Sequence, residues 1–210
     1  MNEPKAYVKH RNKLDKIYRF IFKPTFVGEE NIPTEGRVIL AGNHVRALDC
    51  LTVAASTKRV VHFLAKSELL EPPYKRIFEP FGIIPVHRGS KDKAALSSAV
   101  EVLNDDKVIG VFPEGKVKLD NEKHYTVTPF KFGAVKMAQE TGSRIVPFSI
   151  TGKYKPFKKG LKIQFFEPIT VGDDLEEANN KLMDIVAHGI TENPVFVEKK
   201  SPEEKNEENK

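Results

Sequence analysis

Short apolar β-type runs alternate with helix-type stretches from residue 38 onward, and this alternation constrains the fold more than any other feature of the chain. The runs are Val38 to Asn43, Val60 to Ala65, Phe81 to Val86, Val108 to Phe112, Arg144 to Ile150 and Lys162 to Glu167. Between them, Lys91 to Leu103 places Ala95, Leu96, Ala99, Val100 and Leu103 at roughly helical spacing, and Phe130 to Glu140 does the same with Phe132, Val135, Met137 and Ala138. Asp174 to Ile190 reads as a last helix. Strands alternating with helices predict an α/β fold: a single domain with a mostly parallel mixed sheet flanked by helices.

Ahead of this pattern lies a segment of different character. Leu14, Ile17, Tyr18, Ile21 and Phe22 recur at i, i+3, i+4, i+7 and i+8, opposite Lys13, Lys16, Arg19 and Lys23, and Pro24 ends the segment. Residues 1 to 24 hold seven basic residues against two acids, an excess equal to the net charge of +5 of the whole chain. An amphipathic N-terminal helix of this kind can lie on an anionic membrane surface, where apolar burial and attraction to head groups add. It can also simply cover one edge of the domain. A second basic patch, Lys153, Lys155, Lys158, Lys159 and Lys162, contains no acid. The expected organisation is therefore a basic amphipathic membrane-surface helix over 1 to 24, a domain over 25 to 198 and a charged, disordered tail over 199 to 210. No apolar run approaches the roughly 18 to 20 residues that a spanning helix needs, and Met1 to Lys9 lacks the pattern of a secretory signal. Cys50 is the single cysteine, which excludes an internal disulfide and a thiolate zinc cluster and agrees with a reducing compartment.

Three histidines have an aspartate five positions on: His10 with Asp15, His44 with Asp49 and His87 with Asp92. If the histidine ends a strand and the aspartate opens the next helix, the carboxylate can hold one ring nitrogen and leave the other as a proton acceptor. His10 lies in the amphipathic segment with no strand before it. His44 and His87 both follow apolar strands, and spacing alone barely separates them. Two more stretches follow buried-type strands, Gly82 to Arg88 and Val111 to Gly115. In a parallel sheet the loops at the carboxyl ends of neighbouring strands converge on one crevice, so His44, Arg88 and Glu114 can meet there.

Together these residues resemble the glycerophospholipid acyltransferase family, which includes 1-acylglycerol-3-phosphate acyltransferases. The resemblance runs from about Val27 to Ile190 in four ordered blocks: Asn43, His44 and Asp49; Gly82 to Arg88; Phe112 to Gly115; and Ile145, Val146 and Pro147. It implies that His44 is the base and Asp49 its holder, the HX4D motif, and it gives His87 no such role. It further implies transfer of a fatty acyl group from an acyl thioester to the free hydroxyl of lysophosphatidic acid, with Arg88, Glu114 and Gly115 in the acceptor site, where Lys116 or Lys118 can supply a point charge for the phosphate. No metal or cofactor is implied beyond the co-substrate, an acyl carrier protein or coenzyme A thioester. The expected partners are a lysophospholipid acceptor, that thioester and an anionic membrane surface, with no nucleic acid, and the expected location is peripheral, on the cytoplasmic face of the cell membrane. Two positions depart from the family pattern. Arg46 replaces a small polar residue, and Lys116 with Val117 replaces a threonine and an arginine, so the acceptor is less defined than the reaction. Another lysophospholipid as acceptor, or a non-catalytic phosphate-lipid binding protein on the same fold, remain as alternatives, as does a thiol mechanism at Cys50. A serine hydrolase does not fit, because the chain has no Gly-x-Ser-x-Gly elbow.

Overall fold

The computed structural model describes residues 5–78, 81–87, 93–117 and 127–192. Helix α1 (Lys5–Phe22) leads through β1 (Thr25–Val27) to β2 (Val38–Gly42), α2 (Asp49–Ala54) and β3 (Val61–Lys66). There follow α3 (Lys75–Phe78), β4 (Ile84–Val86), α4 (Lys93–Asn104), β5 (Val108–Val111), α5 (Gly133–Thr141), β6 (Arg144–Gly152), β7 (Leu161–Phe165) and α6 (Leu175–Thr191). The strands form one sheet in the order β1-β7-β6-β2-β5-β3-β4. Every neighbouring pair is parallel except β6 with β7, so the expected α/β architecture with a mostly parallel mixed sheet is the one observed.

Strand β2 shows why the sheet is covered on both sides. All five of its residues are buried. Ile39 and Ala41 point into a core built with α4, α5 and α6 residues such as Leu103, Met137 and Leu182. Val38 and Leu40 point the other way, into a core shared with Tyr7 of α1 and Val53 of α2. Because successive side chains on a strand face opposite sides, one apolar run supplies both cores.

The connections fix where a site can form. The chain leaves β2 through α2 on one face of the sheet and leaves β5 through α5 on the other, although β2 and β5 are neighbours. At such a switch point the loops after the two strands diverge and leave a crevice at their carboxyl ends, where ligands bind in open α/β sheets.

Three local features differ from the sequence reading. Strand β1 was not expected; it is a three-residue edge strand with only its central residue partly buried, too short and too mixed to show as an apolar run. The run from Phe81 becomes extended only at Ile84, because Gly82 turns the chain at φ +63°. Helix α1 turns Tyr7, Arg11 and Tyr18 inward, while Leu14 and Ile17, expected on the same apolar face, are 42% and 45% exposed. The apolar arc of α1 is wider than the strip of domain it covers.

Candidate active site

His44 is the second residue after β2, and its loop folds around the carboxylate of Asp49, which opens α2. Asp49 is fully buried and receives four donors. Its Oδ2 accepts from the backbone N–H of Val45 at 2.7 Å and of Arg46 at 2.8 Å, and lies 2.8 Å from His44 Nδ1. Its Oδ1 accepts from the Tyr154 hydroxyl at 2.5 Å. An ionised carboxylate has only lone pairs to offer, so Nδ1 carries the proton of that contact. The neutral ring then presents Nε2 as an acceptor, and among the described residues Nε2 has no hydrogen-bond partner. An imidazole held in one tautomer by an orienting carboxylate in this way can act as a base.

Three neighbours fix the imidazole and its strand. Phe112, just past β5, stacks on His44 with ring centroids 4.0 Å apart and planes 14° apart, and is itself packed against Phe63 and Phe148. An aromatic face against the ring holds its plane and also favours the imidazolium that forms when Nε2 takes a proton. The side chain of buried Asn43 makes two bonds to Ile150 of β6, its amide nitrogen donating to the carbonyl at 2.8 Å and its oxygen accepting from the N–H at 2.7 Å. Gly42, one residue earlier, lets the backbone of β6 approach so closely that a Cβ would fall 2.2 Å from the Phe148 carbonyl.

Glu114, on the loop after β5, is buried and largely occupied within the protein. Its Oε2 accepts from the Thr128 backbone N–H at 3.0 Å and hydroxyl at 2.7 Å, and its Oε1 lies at the long distance of 3.4 Å from the His44 backbone N–H. It therefore ties the loops that follow β2 and β5 to the chain entering α5. Gly115 adopts φ +70° in the turn, and the side chain of Lys131 lies across it: a Cβ at Gly115 would come within 2.7 Å of Lys131 Nζ. Lys116 is exposed. Of the sequence-predicted residues, the structure brings His44, Asp49, Glu114 and Gly115 together, with Lys116 next in the chain; Arg88 and Lys118 lie outside the described residues.

The rival histidines are placed elsewhere. His10 is exposed on α1, and Asp15 pairs with Arg11 at 3.5 Å. His87 is exposed after β4, the edge strand separated from β2 by β3 and β5, and Asp92 lies outside the described residues. Cys50 is half-buried, and burial, followed by the neighbouring Asp49 charge, pushes its thiol up to about 12. A thiol held protonated to that degree is a poor nucleophile, which argues against the Cys50 mechanism. Tyr154 and Lys131 were missed as site residues. Tyr154 sits among the lysines of the second basic patch and carries no motif; Lys131 lies just ahead of α5, outside the four blocks.

A histidine–carboxylate pair at the switch point of a mostly parallel sheet has the geometry of a base and its orienter, the chemistry of a group-transfer site. The family model described as Acyltransferase matches residues 23–151, more than half of the chain, and the chain belongs to that family. A 1-acyl-sn-glycerol-3-phosphate acyltransferase of Borreliella burgdorferi is 34% identical over 137 residues, covering 64% of this chain and 53% of that protein. The enzyme of the same name from Saccharomyces cerevisiae is 27% identical over 178 residues, covering 75% of this chain and 58% of the relative. The chain thus spans between half and three fifths of these relatives' length. In fold it is similar to the 1-acyl-sn-glycerophosphate acyltransferase PlsC of Thermotoga maritima, with a TM-score of 0.71 over 90% of this chain and 80% of that one, at 23% identity.

Proposed function

We propose that this chain transfers a fatty acyl group from an acyl thioester to the free hydroxyl of 1-acylglycerol-3-phosphate, forming phosphatidic acid. The observation that carries the reading is the His44–Asp49 pair, with Nδ1 at 2.8 Å from the carboxylate and Nε2 unoccupied at the sheet's switch point. His44 Nε2 takes the hydroxyl proton as the acceptor oxygen attacks the thioester carbonyl. When the tetrahedral intermediate collapses, the carbon–sulfur bond breaks and the imidazolium returns the proton to the departing thiolate. Asp49 supports the imidazolium between these steps. Family membership and the names of the relatives support the acceptor; acyl carrier protein and coenzyme A thioesters are both chemically suitable donors.

The acceptor is a membrane lipid, and the second part of the proposal is that the chain works at an anionic membrane surface. Leu14, Ile17 and Phe20 of α1 are exposed, and Phe20 packs edge-on against exposed Phe157 with centroids 5.9 Å apart. The Phe157 backbone N–H also donates to the Ile21 carbonyl at 2.5 Å. The two basic segments, distant in sequence, thus join into one apolar patch rimmed by exposed Lys13, Lys16, Lys155, Lys158 and Lys159. Among the described residues no helix is long and apolar enough to cross a membrane. A surface of this kind suits peripheral binding to acidic head groups.

The deciding experiment supplies labelled lysophosphatidic acid on anionic vesicles with each acyl donor. His44→Ala should lower transfer by about 100-fold to 10,000-fold, the range for loss of a positioned base, and leave the fold intact by circular dichroism. His87→Ala should leave the rate near that of the parent. Normal turnover by His44→Ala would rule out His44 as the base, and no turnover by the parent with either donor would leave a phosphate-lipid binding role.

A further inference from the structure

Behind Asp49 lies a chain of hydroxyls that base chemistry alone does not require. Tyr154 Oη donates to Asp49 Oδ1 at 2.5 Å, and Thr52 Oγ1 lies 2.8 Å from the same Tyr154 oxygen. Thr52 Oγ1 is in turn hydrogen-bonded to the Tyr18 hydroxyl of α1. Thr52 is fully buried and Tyr18 is 7% exposed, so these groups cannot satisfy themselves from solvent. Three elements contribute. Thr52 stands one turn after Asp49 on α2, Tyr154 follows β6 where that strand leaves the side of β2, and Tyr18 comes from the inward face of α1. Phe22 of α1 closes the cluster, with its ring 5.1 Å from that of Tyr18 and 5.7 Å from that of Tyr154.

The direction of the chain follows from the inventory of protons. Each hydroxyl has one proton to give, and a carboxylate has none. Tyr154 must spend its proton on Asp49, so its oxygen is free to accept from Thr52. The other acceptor open to Thr52, the Leu48 carbonyl, is farther away at 3.4 Å. With the Thr52 proton directed at Tyr154, Tyr18 donates to Thr52. All the donors then run one way, from α1 to the carboxylate, where they meet the His44 N–H arriving from the opposite side. Burial raises both phenols, Tyr18 to about 12, so they remain donors throughout the working pH range. Hydrogen bonds aligned head to tail polarise one another, and in a buried site this strengthens each of them.

We propose that Tyr154 is a positioning residue for the acyl-transfer base: backed by Thr52 and Tyr18, it fixes Asp49 Oδ1 and sets the charge that Asp49 presents to His44, so that the seating of α1 is coupled to the catalytic pair. The proposal rests on the reading of His44 as the base. Two consequences follow from the chemistry. Without the tyrosine proton the carboxylate is less shielded, so it holds the imidazolium more tightly and the His44 titration moves to higher pH. An Asp49 free to rotate about its remaining bonds also orients Nε2 less well, which costs turnover rather than acceptor binding.

The test uses the full chain and compares Tyr154→Phe, Thr52→Val and Tyr18→Phe with the parent and with His44→Ala. The readouts are kcat and KM for lysophosphatidic acid, the pH profile of kcat/KM, and the His44 imidazole titration followed by nuclear magnetic resonance without substrate. Tyr154→Phe should lower kcat by roughly 10-fold with KM within about 2-fold, a loss confined to the transition state. It should also shift both the acid limb of the profile and the imidazole titration upward. Thr52→Val and Tyr18→Phe should move the same quantities in the same direction by successively smaller amounts, and Thr52→Val tests the chain if Tyr154→Phe does not fold. Combined with His44→Ala, Tyr154→Phe should cause no further loss. A folded Tyr154→Phe or Thr52→Val with parental kcat and an unshifted imidazole would overturn the proposal, and so would a kcat loss equal at every pH with the imidazole unmoved. If His44→Ala itself turns over normally, the failure lies instead with the base assignment.

Discussion

Four donors on the two oxygens of Asp49 leave that carboxylate no freedom, and the same economy of contacts bears on the acceptor's phosphate. Glu114 lies near the crevice, but its Oε2 is bound to both donors of Thr128, so it braces the loop, and the phosphate of the proposed acceptor calls for cations. Lys131 is a described cation whose side chain lies across Gly115 in the turn after β5, and Lys116 projects from the same turn; both are exposed. Lys131→Ala should therefore raise KM for lysophosphatidic acid by about 10-fold to 150-fold, the equivalent of a charge-assisted bond of roughly 1.5–3 kcal/mol, with kcat largely retained. Lys116→Ala should raise it less. Arg88→Ala should give a rise like that of Lys131→Ala if the two share the phosphate, and Arg88→Lys should recover only part, because an ammonium cannot reproduce the planar fork. Steady-state kinetics with a phosphate-diester lysolipid as control checks the assignment. Equal KM values for both acceptors, unaffected by any of these substitutions, would mean that the site does not read a phosphate monoester.

At the scale of the elements, α1 has two jobs that a deletion would confuse. Its inner edge, with Tyr7, Arg11, Tyr18 and Phe22, belongs to the domain, and Arg11 donates to the Lys58 carbonyl beyond α2. Removing the helix would strip a core and the hydroxyl chain together. Substitutions on the outer edge separate the functions: Leu14→Ser, Ile17→Ser and Phe20→Ser together, or Lys13→Glu with Lys16→Glu, should weaken sedimentation with anionic vesicles by at least 10-fold. Each basic residue near such a surface contributes about 1 kcal/mol. Away from special features surface substitutions change stability by about 0.5 kcal/mol or less, so the melting temperature should hardly move. Unchanged vesicle binding would make α1 an edge cover only. The periodicity that revealed α1 could not divide its apolar arc, because a helix pattern records which side chains are apolar and not how broad a strip the neighbours offer. The strands from β2 onward were legible because buried parallel strands are apolar at nearly every position, and His44 with Asp49 because helix and strand boundaries were readable around them. Tyr154 was not. It bonds Asp49 across 105 positions of sequence through a pairing of β6 with β2 that no local pattern encodes.

Across the whole molecule the two faces of the sheet differ in chemistry, and the difference has a measurable consequence. The α4–α6 face is a largely aliphatic core, while the α1–α2 face holds the protonated groups Tyr7, Tyr18, Tyr154 and Cys50. Burial is the leading cause that pushes the Tyr7 and Tyr18 phenols and the Cys50 thiol up to about 12, from ordinary values of 10.0 for tyrosine and 9.0 for cysteine. The sign follows from proton counting. Below about pH 9 both the folded and the unfolded chain keep these protons, so the contribution to stability is fully present. Between about pH 9 and 12 the unfolded chain releases protons that the folded chain retains, and stability falls as pH rises. The urea midpoint should accordingly be flat to about pH 9 and then decline, with Tyr18→Phe and Cys50→Ala each flattening the decline relative to the parent. Comparison with these variants separates the effect from the neutralisation of surface lysines, which all three proteins share. Tyrosinate absorbance supplies the spatial detail: Tyr7, Tyr18 and Tyr154, whose phenols burial raises, should ionise together with the loss of helical circular dichroism. Because Tyr18 and Tyr154 are donors in the chain proposed to end on Asp49, acyl transfer should be lost in that same window, together with the fold. Activity that declined at lower pH, while helical circular dichroism persisted, would show that the phenols behind the carboxylate are open to solvent.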